Sequence, residues 1–436
     1  MSQRAYDQAK VDGLDEEILD FRHKAVPASL HGMSIGALAA RRLGLAELQT
    51  PLLTLDESAM DFNARLLAAW CDDHGVLLAP HGKTTMSPEL WARQIELGAW
   101  GMTLANAAQL RVARAFGFTR LMLANSLTDP QAIRWAAGQA EDGARIVSWV
   151  DSAETVALLE RELAGHGTLD VIVERGGAGG RTGARSHEEA LSIARTVHAS
   201  AALRLVGVGG YEGALAHTAD DAGLGAVRGY LGEVARLHGE LLAEGLYDAD
   251  EVLVTAGGSA YFDDVVEVLA PVRDAGGTGR PRVEIVLRSG AYIIHDDGFY
   301  RGISPFSRQD PDGEQSFRPA MHAWVRVVSQ PEPGLAILEG GKRDLPFDEG
   351  LPVPQLISDG LGEPATELRK AEITAVNDQH AFLRFAEGTE IRPGQVIRLG
   401  LSHPCTALDK WTLIPVLDTV ADPERAAVVG AVRTFF

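Results

Sequence analysis

Between Leu52 and Asp296 the chain alternates short apolar, β-branched runs with longer stretches of helical periodicity. The short runs are Leu52–Leu55, Val76–Ala79, Gly101–Leu104, Arg120–Ala124, Arg145–Val150, Leu169–Val173, Leu203–Gly209, Glu251–Ala256 and Val283–Leu287. Between them, Ser58–His74, Ser87–Leu97, Asn106–Ala115, Asp129–Ala140, Ser152–Leu163 and Ser186–Ser200 repeat apolar residues at helical spacing. Strands alternating with helices of about 10–15 residues predict βα units and a parallel sheet. About eight such units over some 245 residues suit a closed (β/α)8 TIM-like barrel. A doubly wound sheet is the competing arrangement, but no Gly-x-Gly-x-x-Gly turn follows the first strand to support it. After about Tyr300 the texture changes. Phe317–Ser329, Gly334–Leu338, Glu367–Val376, Phe382–Phe385 and Val396–Leu401 are short strands separated by Pro/Gly turns, which predicts a C-terminal all-β domain. The expected division is an N-terminal segment 1–50 associated with the β domain, a barrel over 51–300, and the β domain over 301–436.

Within this pattern one strand end carries a candidate for chemistry. Gly75-Val76-Leu77-Leu78-Ala79-Pro80-His81-Gly82-Lys83-Thr84 is an apolar run followed by a lysine three residues after Pro80. The carboxyl end of a barrel strand is where catalytic groups gather. A lysine partly withdrawn from water there has a lowered pKa, and its amine can form a Schiff base with a carbonyl. A solvated lysine at a strand end is the plainer reading of the same spacing. His81 is placed either to orient the lysine or a substrate carboxylate, or to cap the strand.

Thr50-Pro51-Leu52-Leu53-Thr54-Leu55-Asp56, Pro80-His81-Gly82-Lys83-Thr84 and Gly98-Ala99-Trp100-Gly101-Met102-Thr103-Leu104-Ala105 resemble the opening of the alanine-racemase-like, fold-type III pyridoxal-phosphate enzymes. The PH-x-KT context is similar to the branch containing D-serine dehydratases and D-threonine aldolases. The resemblance runs from about Thr50 to the C-terminus. It implies a barrel followed by a β domain, with Lys83 carrying pyridoxal 5'-phosphate.

By the same resemblance, Gly257, Gly258 and Ser259 after Val252–Ala256 form the phosphate turn, and Gly290 and Tyr292 close over the phosphate. Glycines and a hydroxyl at a strand end do let main chain approach an anion, although the same residues would serve a plain tight turn. Arg181, in Glu174-Arg175-Gly176-Gly177-Ala178-Gly179-Gly180-Arg181-Thr182-Gly183, resembles the arginine of the family's D-x-G-x-x-R-x-G strand end, with Glu174 in place of Asp and a longer, glycine-rich spacer. Tyr211 stands where the family has an aromatic near the pyridine nitrogen. Lys342 and Asp348 resemble positions of the β domain that approach a partner subunit, so a homodimer is implied.

Leu401-Ser402-His403-Pro404-Cys405-Thr406 is the second candidate site. On an extended strand, residues two apart point to one side, so His403 and Cys405 would converge there. Imidazole with thiolate favours zinc over magnesium or calcium, and two ligands leave positions open, as catalysis requires. A buried His beside a buried Cys is the alternative for an isolated H-x-C. The position near the C-terminus resembles the metal-binding strand of the D-serine dehydratase branch.

Charge and composition narrow the function classes. The 60 acidic residues against 40 basic ones give a net charge of −20, which repels nucleic acid and anionic membrane. With 46% hydrophobic and 23% charged residues, the composition is that of a globular protein. No apolar run has the length of a membrane span, and residues 1–25 lack the apolar core of a secretory signal. The two cysteines, Cys71 and Cys405, are too few for a disulfide framework, so a reducing, cytoplasmic setting is expected. Together with the resemblance, these readings predict a pyridoxal-phosphate- and zinc-dependent dehydratase that converts a D-3-hydroxy amino acid, such as D-serine or D-threonine, to a 2-oxo acid and ammonia. Retro-aldol cleavage to glycine and an aldehyde is the alternative reaction. A non-catalytic pyridoxal-phosphate-binding barrel is the alternative of another class.

Overall fold

The computed structural model describes residues 5–273, 281–310 and 313–436. It contains two compact units. The first comprises residues up to Asp7, Ala68–Lys83 and Gln94–Gly290, and the second Gln8–Leu67, Thr84–Arg93 and Ala291–Phe436.

The strand β1 (Leu52–Asp56) lies in the second unit. The first unit is built on β2 (Leu77–Leu78), β3 (Met102–Leu104), β4 (Arg120–Ser126), β5 (Arg145–Val150), β6 (Leu169–Glu174), β7 (Leu203–Gly209), β8 (Glu251–Ala256) and β9 (Arg282–Leu287). All neighbouring pairs are parallel, in the order β2-β9-β8-β7-β6-β5-β4-β3. The Thr103 N–H donates to the Pro80 carbonyl at 2.9 Å, and His81 bridges Thr103, so the two ends of the sheet close on each other. The strands are buried along nearly their whole length, as apolar runs without alternation require of a sheet covered on both faces. Ala79, Trp100, Met122, Val147, Trp149, Ile172, Val206, Leu253 and Val286 fill one core cluster with side chains drawn from strands around the sheet.

Helices of this unit start where the sequence supplies a capping oxygen. Asn106, Asp129, Ser152 and Ser186 accept from the N–H groups of Gln109, Ala132, Thr155 and Glu189. Each satisfies an amide that the helix cannot. The helix Asp221–Glu244 ends at Gly245 with φ +67°.

The second unit is centred on an antiparallel sheet. β1 pairs with β10 (Met321–Glu332) in the register Leu52↔Trp324, and β10 pairs antiparallel with Val396–Gly400. On its other side β1 runs parallel to Leu413–Leu417, which pairs with Val428–Arg433. Leu335–Leu338, Ala381–Phe385 and Ala371–Val376 form a branch off β10. The Trp324 indole donates to Thr54 Oγ1 at 3.0 Å and that hydroxyl donates to the His322 carbonyl at 3.3 Å, so a buried polar residue of β1 is satisfied. N-terminal residues join this sheet: the Val428 N–H donates to the Leu43 carbonyl and the Leu45 N–H to the Ala426 carbonyl.

Two expectations are corrected. Leu52–Leu55 is not the first barrel strand, because its fully buried residues pair with β10 and Leu413–Leu417. A short apolar run does not reveal which sheet will bury it. Nor is the segment around His403 an extended strand. His403 has φ +53° and precedes the helix Pro404–Leu408, since Pro404 suits a first helical position where no amide donor is needed.

Candidate active site

Lys83 sits on a single 3-10 turn, Gly82–Thr84, just beyond the carboxyl end of β2. Pro80 ends the strand, because it supplies no amide donor. The His81 N–H donates to the Arg288 carbonyl at 3.2 Å, which carries the β2–β9 pairing past the strand ends. Gly290 is required here: a Cβ would lie 2.4 Å from the His81 carbonyl oxygen. The imidazole Nδ1 of His81 is buried without a hydrogen-bond partner. Burial pushes the His81 pKa well below its ordinary value, and the charges of Lys83, Arg288 and Arg181 push the same way. His81 is therefore neutral, and three cations are within electrostatic reach of it.

Arg288 is buried at the end of β9. Its guanidinium donates to Thr255 Oγ1 at 2.7 Å and to the Gly210 carbonyl at 2.6 Å, and stands over the Trp149 ring at 4.9 Å. Arg181 lies over the Tyr211 ring at 4.8 Å. Its loop is held by Arg185, which donates to the carbonyls of Gly180, Arg181 and Thr182 at 2.9, 2.6 and 2.7 Å. The long glycine spacer thus has a fixed path that brings Arg181 and Tyr211 together. Glu174, at the end of β6, accepts from Thr182 Oγ1 at 2.8 Å through one oxygen, while its Oε2 is buried without a partner. Burial pushes its pKa up to about 7, against the Thr182 hydrogen bond that lowers it.

The turn after β8 holds a surprise for the phosphate reading. The Gly257 and Gly258 N–H groups both donate to the Glu212 carboxylate, at 3.0 and 2.7 Å. Glu212 is fully buried. Ser259 follows directly, and Ser289 Oγ donates to the Gly258 carbonyl at 2.9 Å. Tyr292 belongs to the second unit, where it is buried beside Phe317 with ring centroids 6.0 Å apart.

In the second unit His403 and Cys405 do come together, by a route the strand reading did not foresee. The Asp296 carboxylate accepts from the N–H groups of Gly298, Tyr300 and His403 at 3.0, 2.9 and 3.1 Å, fixing the left-handed backbone of His403. Burial raises the Asp296 pKa to about 6 despite those bonds. The His403 Nδ1 lies 2.6 Å from Asp348 Oδ2, and Thr406 Oγ1 donates to Asp348 Oδ1 at 2.7 Å. Burial lowers the His403 pKa, but the Cys405 thiol and the Asp348 carboxylate outweigh it and lift the value to about 9. Cys405 Sγ donates to Thr84 Oγ1 at 3.3 Å. A carboxylate on one imidazole nitrogen leaves the other for a metal and fixes the ring's direction. Among the described residues no group of three or more His, Cys, Asp or Glu forms a ready metal cluster. Lys342 has its ammonium 5.3 Å from the Phe347 ring centre.

Against known proteins, the model of a putative serine dehydratase domain matches residues 320–417, a span that contains both His403 and Cys405. A D-threonine aldolase of Arthrobacter sp is 26% identical over 82% of this chain and 86% of its own. The D-threonine aldolase of Filomicrobium marinum superposes with a TM-score of 0.72 at 24% identity, covering 89% of this chain and 97% of that one. The D-threo-3-hydroxyaspartate dehydratase of Delftia sp. HT23 gives 0.67 at 21% identity, over 88% and 98%. Over most of its length the chain is thus similar to D-threonine aldolases, and it shares their fold.

For the pyridoxal phosphate that the resemblance implies, the strand ends offer a lysine for an aldehyde, cations for anionic groups, and the unpartnered Nδ1 of His81. Glu212 is the departure, since its carboxylate holds two amides that the phosphate turn would present. Glu212, Arg288, Arg185 and Asp296 were not singled out from sequence. The only signal was a charged residue set among glycines or apolar residues at a strand end, as in Tyr211-Glu212-Gly213 and Leu287-Arg288-Ser289. No helix of the described residues is long and apolar enough to cross a membrane.

Proposed function

We propose that this chain is a pyridoxal-phosphate-dependent lyase that removes the hydroxyl of a D-3-hydroxy amino acid, giving a 2-oxo acid and ammonia. The observation that carries the lyase reading is Lys83 on the turn beyond β2, beside a neutral His81 within reach of Arg181 and Arg288. Pyridoxal phosphate, when bound, supplies an electron sink for negative charge at the substrate Cα. Lys83 would hold it and, when its amine is released, would take the α-proton as general base. The neutral His81 is available to orient that amine without competing for its proton. Arg181, over Tyr211, would face the anionic edge of the ring.

His403 and Cys405 would hold a divalent metal, zinc by the softness of the donor pair, and such an ion supplies Lewis-acid polarisation of a hydroxyl. Asp348 would orient His403 for it. The match of residues 320–417 to a putative serine dehydratase domain supports loss of the hydroxyl. A second reading, cleavage of Cα–Cβ to glycine and an aldehyde, is favoured by the D-threonine aldolases among the relatives. Incubating the purified enzyme with D-serine and with D-threonine separates the two. Pyruvate or 2-oxobutyrate with ammonia is the expected result, and glycine with acetaldehyde from D-threonine would overturn dehydration in favour of cleavage.

A further inference from the structure

The end of β8 is an anion seat whose occupant is part of the chain. Two consecutive amides, Gly257 N–H and Gly258 N–H, converge on one carboxylate, an arrangement that binds anions generally. Gly257 adopts φ +91°, and a Cβ there would lie 2.7 Å from Leu287 Cδ2. A Cβ on Gly258 would stand 3.0 Å from Tyr211 Cε2, so the turn is closely packed and strained for any side chain at Gly257. The carboxylate comes instead from Glu212, on the 3-10 turn Glu212–Ala214 after β7, with no exposed surface. Its charge is within electrostatic reach of the buried Arg288.

We propose that Glu212 is a built-in occupant of the phosphate seat: a phosphorylated ligand enters by displacing its carboxylate from Gly257 and Gly258, and Glu212 thereby sets the affinity for the phosphate group. The inference rests on the reading of Gly257–Ser259 as the phosphate turn. A phosphate and a carboxylate cannot share two amides, because two anions at hydrogen-bonding separation repel strongly where water is excluded. Once the carboxylate leaves, Arg288 remains as a fixed cation within electrostatic reach of the place it held, since its own bonds go to Thr255 and Gly210. Glu212 is then a specificity-determining residue that discriminates among phosphorylated ligands by how well each replaces it.

The test uses the full chain freed of cofactor with hydroxylamine, titrated by calorimetry with inorganic phosphate, pyridoxal phosphate and pyridoxal. Glu212→Ala is expected to tighten phosphate and pyridoxal phosphate about tenfold, the scale of one charge-assisted hydrogen bond no longer surrendered, while pyridoxal is unaffected. Glu212→Gln, which keeps the shape without the charge, is expected to shift in the same direction by less, and it serves if the alanine variant does not fold. Unchanged or weaker phosphate binding in the variants would overturn the proposal and make Glu212 an organiser of the turn. If wild-type protein binds pyridoxal phosphate no more tightly than pyridoxal, the phosphate-turn reading itself fails and the proposal with it. Borohydride labelling of Lys83 would still report separately on the lysine.

Discussion

The Lys83 end of the barrel and the His403–Cys405 corner of the second unit are built on opposite principles. At the barrel end, the turns that follow regular strands carry the candidate groups: His81 and Lys83 after β2, Arg181 after β6, Tyr211 and Glu212 after β7, Arg288 after β9. Position along the chain therefore nearly determines position in space. At the other corner an irregular backbone does the placing. His403 is held in the left-handed region by the buried Asp296, and Cys405 reaches it from the first turn of a five-residue helix. A site on regular elements needs few supporting groups, whereas one on an irregular segment depends on the buried acid that pins it.

That contrast predicts where each site breaks. The largest loss should come from Lys83→Ala, which removes cofactor attachment and general base together. Turnover should fall by about 10²–10⁴-fold from the base alone, and the visible absorbance of bound cofactor should disappear while circular dichroism is unchanged. Next in size, Cys405→Ala or chelation should lower dehydration about 10²–10³-fold, the scale of several kcal/mol of Lewis-acid assistance. The cofactor spectrum and melting temperature should be retained. Unfolding on chelation would instead mark the metal as structural.

The same contrast explains what the sequence made legible. The barrel could be read because eight strands repeat one pattern, and the place of Lys83 because its turn follows a strand end directly. Leu52–Leu55 was misplaced because four buried residues look the same in either sheet. For His403 and Cys405 the spacing was read with the wrong geometry: strand alternation and the first turn of a helix after a left-handed residue both bring the side chains together. Glu212 was invisible because its role lies in hydrogen bonds to Gly257 and Gly258, 45 and 46 residues away along the chain. Asp296 was missed for the same reason, being 107 residues from His403.

Two smaller effects sharpen the comparison. Asp348→Asn keeps the shape of the group that orients His403 but removes its charge. Metal affinity should fall about 10–100-fold, measured by competition with a chromophoric chelator, and Lys83 labelling should be untouched. At the barrel end, Glu174 has a folded-state pKa raised to about 7, chiefly by burial. Its folded form holds a proton that the unfolded chain releases at the ordinary carboxylate pKa. The resulting stability is complete below that pKa and is lost as pH rises towards 7, by at most about 3 kcal/mol. Glu174→Gln, which cannot ionise, should flatten the fall in melting temperature between pH 5 and 8. An unaltered profile would show that Glu174 is already ionised in the folded chain.

The central claim is that Lys83 holds the cofactor at the end of β2. Reduction of the holoenzyme with borohydride, followed by peptide mapping, should find a single pyridoxyl group on Lys83, in the peptide that contains Pro80-His81-Gly82-Lys83-Thr84. A pyridoxyl group on any other lysine, or none in protein incubated with pyridoxal phosphate, would contradict it.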